Sequence, residues 1–137
     1  MKSLDTGDEL VSAKSIDSLI KHHAVVVRHP NTKIPFVYDN DIVQGVSFHK
    51  LNDYLNLNNI ITITPFRGTY QEKRNIIDRA KKSLGASYCL FRFNCEHFSS
   101  YLRTGTPHSR QLRRILIWGA VVIAAALAIV YLLKKKK

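Results

Sequence analysis

Cys95 is the residue whose setting points most directly to chemistry. Asn94 ahead of it is a good helix N-cap, which places Cys95 in the first turn of a helix. There the helix dipole and the unpaired backbone N–H groups favour a thiolate. The same N–H groups can later hold an oxyanion. A nucleophilic thiol also needs a base, usually a histidine brought in by another element. His22 and His23 stand at the head of the β-branched run Ala24–Arg28, AVVVR. Alternation along a strand puts them on opposite faces, so one of the two can point to the sheet face that the Cys95 helix covers. Only one can be the base. Cysteine is also a common small core residue, and a histidine often sits on the surface or at a cap, so spacing by itself leaves both readings open. His97 lies two residues from Cys95 and points about 200° around a helix axis, which is poor placement for its base. Cys89, in an apolar context, is expected in the core. Cys89, Cys95, His97 and His108 match no standard zinc spacing, and no metal or cofactor is expected.

The elements that must position these residues follow from pattern. Gly7-Asp8 precedes a first strand at Leu10-Val11. After AVVVR, His29-Pro30-Asn31 makes a turn. Phe36–Tyr38 and Ile42–Phe48 read as short strands separated by Asp39-Asn40-Asp41, and Ile60–Thr64 as another, closed by Pro65. The period then changes from 2 to 3.6. Thr69 and Glu72 have capping-box spacing, Ile76, Ile77, Ala80 and Leu84 follow on one face, and Gly85 is a natural stop. A second helix is predicted from about Cys95 to Gly105, with Cys95, Phe98 and Leu102 as its apolar face. The fold class is therefore α+β, a sheet with two helices packed on it.

Composition bounds the rest. With 45% hydrophobic and 23% charged residues, the 137-residue chain is too apolar for disorder. Two cysteines make no disulfide framework, and the polar stretch Met1–Glu9 gives no expectation of a secretory signal. The net charge of +11 suggests a nucleic-acid or acidic-surface partner, but its distribution decides otherwise. Residues 1–109 carry fourteen basic and ten acidic side chains, a net of only +4. The other seven positive charges, Arg110, Arg113, Arg114 and Lys134–Lys137, bracket an uncharged run from Ile115 to Leu133. Nineteen such residues nearly span the ~30 Å hydrocarbon core of a bilayer. Trp118 and Tyr131 lie near its ends, where interfacial aromatics anchor. The expected organisation is a body over 1–109, a basic juxtamembrane linker over 110–114, a membrane helix over 115–133 and a lysine tail over 134–137. The expected placement is tail-anchored, single-pass and body in the cytosol, with no nucleic-acid partner.

Asn94-Cys95-Glu96-His97-Phe98, followed by Leu102-Arg103 and Gly105, resembles the signature of the lecithin:retinol acyltransferase-like family. The likeness is to its small H-rev-type phospholipase A/acyltransferases, and some picornaviral 2A proteins carry a similar H-box and NC motif. Gly7-Asp8-Glu9-Leu10 is similar to the family's opening, and His22-His23-Ala24-Val25 to its H-x-[AG] strand. The resemblance implies a permuted NlpC/papain-like domain in which Cys95 is the nucleophile and His22 the base, with His23 the fallback. The family's usual second histidine is missing here. The segment reads Phe36-Val37-Tyr38-Asp39-Asn40, so Asp39 or Asn40 is left to orient the imidazole. The implied function is a membrane-anchored thiol phospholipase A/acyltransferase on glycerophospholipids, working through an acyl-cysteine. The rival is a non-enzymatic, membrane-bound interaction protein that keeps the fold.

Overall fold

A computed structural model describes residues 3–13 and 21–135. The run AVVVR forms the middle of a sheet because its valines are covered from both sides: Val25 and Val27 join one apolar cluster, Ala24 and Val26 the other. Five strands, β1 Glu9–Ala13, β2 Lys21–Arg28, β3 Pro35–Asp41, β4 Gly45–Lys50 and β5 Ile60–Thr64, pair antiparallel in the order β4-β3-β2-β1-β5. Helix α1 spans Leu51–Leu57, α2 Tyr70–Ser83, α3 Cys95–Thr104 and α4 Arg110–Lys135. The architecture is α+β, with the histidine strand ahead of the cysteine helix in the chain.

The two faces of the sheet are dressed differently. Ile76 and Ala80 of α2 and Phe98 and Leu102 of α3 pack on Val25, Val27, Tyr38 and Val46. Leu51 and Tyr54 of α1 pack on Leu10, Ala24, Val26 and Val37 on the opposite face. The predicted caps form: the Thr69 side chain accepts from Glu72 N while the Glu72 carboxylate takes the Thr69 N–H, and Gly85 has φ +77 just past α2. Asn94 caps α3, which ends on Gly105 in the left-handed region at φ +83.

Three local expectations fail. Asp39-Asn40-Asp41 is not a turn: β3 runs through Asp41 and β4 starts only at Gly45. These polar residues stay in the strand because tertiary partners satisfy them, Asp39 through His22 and Asn40 through the Phe93 carbonyl. Helix α1 is a third element beside the two expected helices: Asn52, Asp53 and Asn56 are weak helix formers, and burial of Leu51 and Tyr54 holds it. Cys89 is exposed rather than core, because it closes a tight turn in which its carbonyl accepts from Phe93 N at 2.7 Å.

Helix α4 has no residue buried against the body. Its 26 residues reach about 39 Å at 1.5 Å per residue, long enough and apolar enough to cross a bilayer. Arg110–Arg114 form its first turns. Of the lysine tail, Lys136 and Lys137 lie outside the described residues, as do Met1 and Lys2 of the polar start.

Candidate active site

The N-terminus of α3 sits at the end of the sheet rather than over its face. Cys95 is 9% exposed, and its Sγ lies 3.8 Å from the Lys21 carbonyl at the start of β2. That placement sets the two histidines apart. His23 does point to the face that α3 covers, where its Nδ1 meets Glu9 Oε1 at 2.9 Å. The same carboxylate accepts from Ser99 Oγ at 2.6 Å and from Arg103 Nη1 at 3.0 Å. Burial works against the Glu9 charge, but His23, Ser99 and Arg103 together hold its pKa below the usual range.

His22 points to the α1 face, and it is this ring whose charged form Cys95 favours. The thiol projects from the end of the helix beside the start of β2. His22 is 4% exposed, and its Nε2 bonds Asp39 Oδ2 at 2.8 Å. Burial opposes a charged ring, yet Asp39 and Cys95 outweigh it and raise the His22 pKa to about 9. Of the two candidates for the orienting residue, Asp39 is on His22. Asn40, one residue on, faces the other way, its Nδ2 donating to the Phe93 carbonyl at 2.6 Å.

Two further residues join this cluster that sequence reasoning missed. Ser47 Oγ donates to Asp39 Oδ1 at 3.3 Å, and His49 Nε2 stands 3.6 Å from the same oxygen. Alternation along β4 places Ser47 and His49 on one face, the signal that could have found them, but that required knowing that Ser47 pairs with Asp39. His97 serves the cap of α3: its N–H donates to Asn94 Oδ1 at 3.0 Å and its Nδ1 accepts from Asn94 N. Glu96 looks away from His22. Its Oε2 accepts from Ser109 Oγ at 2.6 Å and from Gln111 N at 2.9 Å, so it caps α4. That contact supplies the negative charge which an N-terminus starting with Arg110 lacks.

A buried Cys–His–carboxylate series at a helix N-terminus, with the histidine on a neighbouring strand, is an arrangement suited to acyl transfer by a thiol. A family model described as lecithin retinol acyltransferase matches residues 39–108, about half of the chain and the part holding Asp39 and Cys95. The protein belongs to the lecithin retinol acyltransferase family. It is similar to Phospholipase A and acyltransferase 5 of Rattus norvegicus, 30% identical over 118 residues, which is 86% of this chain and 36% of the relative. The Homo sapiens protein of the same name is 33% identical over 120 residues, 85% of this chain and 36% of its own length. The chain thus spans little more than a third of the length of these relatives. No solved structure matches it significantly.

Proposed function

We propose that this protein is a thiol acyl hydrolase and acyltransferase that acts on glycerophospholipids at a membrane surface. The observation that carries the reading is the buried His22–Asp39 hydrogen bond beside Cys95, which helps raise the His22 pKa and stands in the first turn of α3. Cys95 attacks the ester carbonyl of a fatty-acyl chain. The first N–H groups of α3, at Cys95 and Glu96, have no intrahelical carbonyl to bond and can receive the developing oxyanion. His22, an imidazolium at neutral pH, is the partner a thiolate nucleophile needs, and it gives its proton to the departing lysophospholipid alcohol. The acyl-cysteine is then resolved by water, an amine or a second lysophospholipid, with His22 taking the proton of the incoming group. Asp39 holds the ring and its charge. Family membership and the names of the similar proteins support this substrate class.

Helix α4 supplies proximity by holding the site where lipid is concentrated, as a single-pass anchor with the body on the reducing, cytosolic side. Residues 1–109 act as the catalytic body, 110–114 as its basic approach to the bilayer and 134–137 as a lysine tail beyond it.

The full chain, reconstituted with phosphatidylcholine vesicles, is expected to release fatty acid, and Cys95→Ala to lose on the order of a thousandfold or more of that rate. Mass spectrometry of the wild-type protein should find the acyl group on Cys95. Equal release from both proteins sinks the proposal. No release from either, with normal folding, favours the interaction-protein reading.

A further inference from the structure

On the side of Cys95 away from Asp39 lies a second, larger hollow that the chemistry above does not use. It measures about 830 Å3 and opens between α3, the β1–β5 edge and the first turn of α4. Lys21, Arg103, His108, Arg110 and Arg114 line it. Its two carboxylates are both engaged, Glu9 by His23, Ser99 and Arg103, and Glu96 by Ser109 and the Gln111 N–H. The surplus charge facing the hollow is therefore positive. Ile115, the first residue of the apolar run, forms part of its wall, which sets the cleft at head-group depth when α4 is in a bilayer. Lys21 and Glu96, which also line it, are the residues beside Cys95, one through its carbonyl at 3.8 Å from Sγ and the other next in the chain.

The hollow next to His22 has the opposite character. It is smaller, about 230 Å3, and is lined by the His22–Asp39 pair and His49 together with Asp41 and Asp53, so its surplus charge is negative. A glycerophospholipid with its ester at Cys95, which itself lines neither hollow, can extend its phosphodiester toward one or the other, and charge separates the two choices. From this we infer that the basic cleft is the phosphodiester subsite, with Arg110 and Arg114, one turn apart on the same face of α4, binding the head-group phosphate. The inference rests on the glycerophospholipid reading above. It makes the first turn of the membrane helix part of the substrate site rather than a passive tether.

The test separates a built site from general attraction to lipid. The full chain in neutral detergent micelles is titrated with an ether-linked phosphatidylcholine, which no acyl hydrolase can cleave, and binding is followed by calorimetry. Arg110→Gln and Arg114→Gln are each expected to weaken binding about fivefold, since each removes a phosphate-facing charge. Arg113→Gln removes the same charge from the neighbouring position, outside the cleft, and is expected to change binding by less than about twofold. Glycerophosphocholine should displace the lipid better than inorganic phosphate does. Equal losses from all three variants, or no loss from Arg110→Gln and Arg114→Gln, overturn the subsite. Displacement by inorganic phosphate as effective as by glycerophosphocholine assigns the cleft to free phosphate and overturns it as well. Ether-lipid binding with the expected pattern, in a protein that cleaves no ester, leaves the subsite standing and removes the enzyme. Cleavage without the pattern does the reverse.

Discussion

A histidine held between a carboxylate and a thiol has a proton affinity that neither partner sets alone. The His22 pKa of about 9 lies above its unfolded value near 6.5, despite burial. A raised pKa stabilises the fold most fully below pH 6.5 and ceases to do so as pH rises through 9. Urea unfolding should accordingly show a loss of about 2–3 kcal/mol between pH 6.5 and pH 9.5, largely absent in His22→Asn. On the proposed mechanism, kcat/KM falls on an alkaline limb near pH 9, where the ring loses the proton it must donate. Asp39→Asn removes the carboxylate but keeps the shape, so the limb should move toward pH 6.5. A limb that stays put in Asp39→Asn excludes Asp39 as the residue that positions and charges the ring. Cys95 and the histidine pair were legible in the chain, because N-cap chemistry and strand alternation are local. On the proposed mechanism, the choice of His22 over His23 is not legible from alternation. It depended on α3 meeting the sheet at its end, which is a tertiary distance.

At the scale of elements, the approach to α3 is fixed by a backbone contact between β4 and the segment after α2. Val46 N donates to the Ala86 carbonyl at 2.9 Å, and Gly85 N to the Val46 carbonyl at 3.0 Å. Gly45 permits this closeness: its φ is +69, and a Cβ there would stand 2.4 Å from the Ala86 oxygen. Gly85, at φ +77, has no atom within 4 Å of such a Cβ. Gly85→Ala should therefore cost only the left-handed backbone penalty, about 1 kcal/mol. Gly45→Ala adds a clash with backbone and should cost about 2–3 kcal/mol, read as a larger fall in the urea midpoint at unchanged slope. Equal costs at the two positions contradict the backbone contact. The boundaries of α2 and α3 were readable because their caps are sequence-local. Helix α1 was harder, since its asparagines argue against the burial of Leu51 and Tyr54 that holds it.

For the whole molecule, the decisive contrast is between a covered sheet and an uncovered helix. A core helix buries its apolar stripe, and α4 buries none of its residues in the body. On the proposed function, lipid is the environment that removes the cost of exposing Ile115–Leu133. Arginine at the centre of such a span costs about 2.5–3.5 kcal/mol per residue, so Ala125→Arg with Ala126→Arg should release the protein from membranes on carbonate extraction. On the proposed function, the same variant keeps its rate on a short soluble ester and loses most of its rate on vesicles, because the anchor supplies proximity and not chemistry. Retention of the vesicle rate by a soluble double variant excludes the anchor from that role.

The sequence by itself determined what short-range physics governs: the capped helices, the valine strand, the thiol in a first turn, the split of charge around an apolar run, and the family signature. Tertiary structure alone decided which residues meet. It kept Asp39 in a strand and on His22, turned Asn40 and His23 to the other face, brought Ser47 and His49 beside Asp39, and tied Glu96 to the start of α4. Those outcomes depend on strand register and on where a helix end meets a sheet edge, and both are set by contacts between residues far apart in the chain.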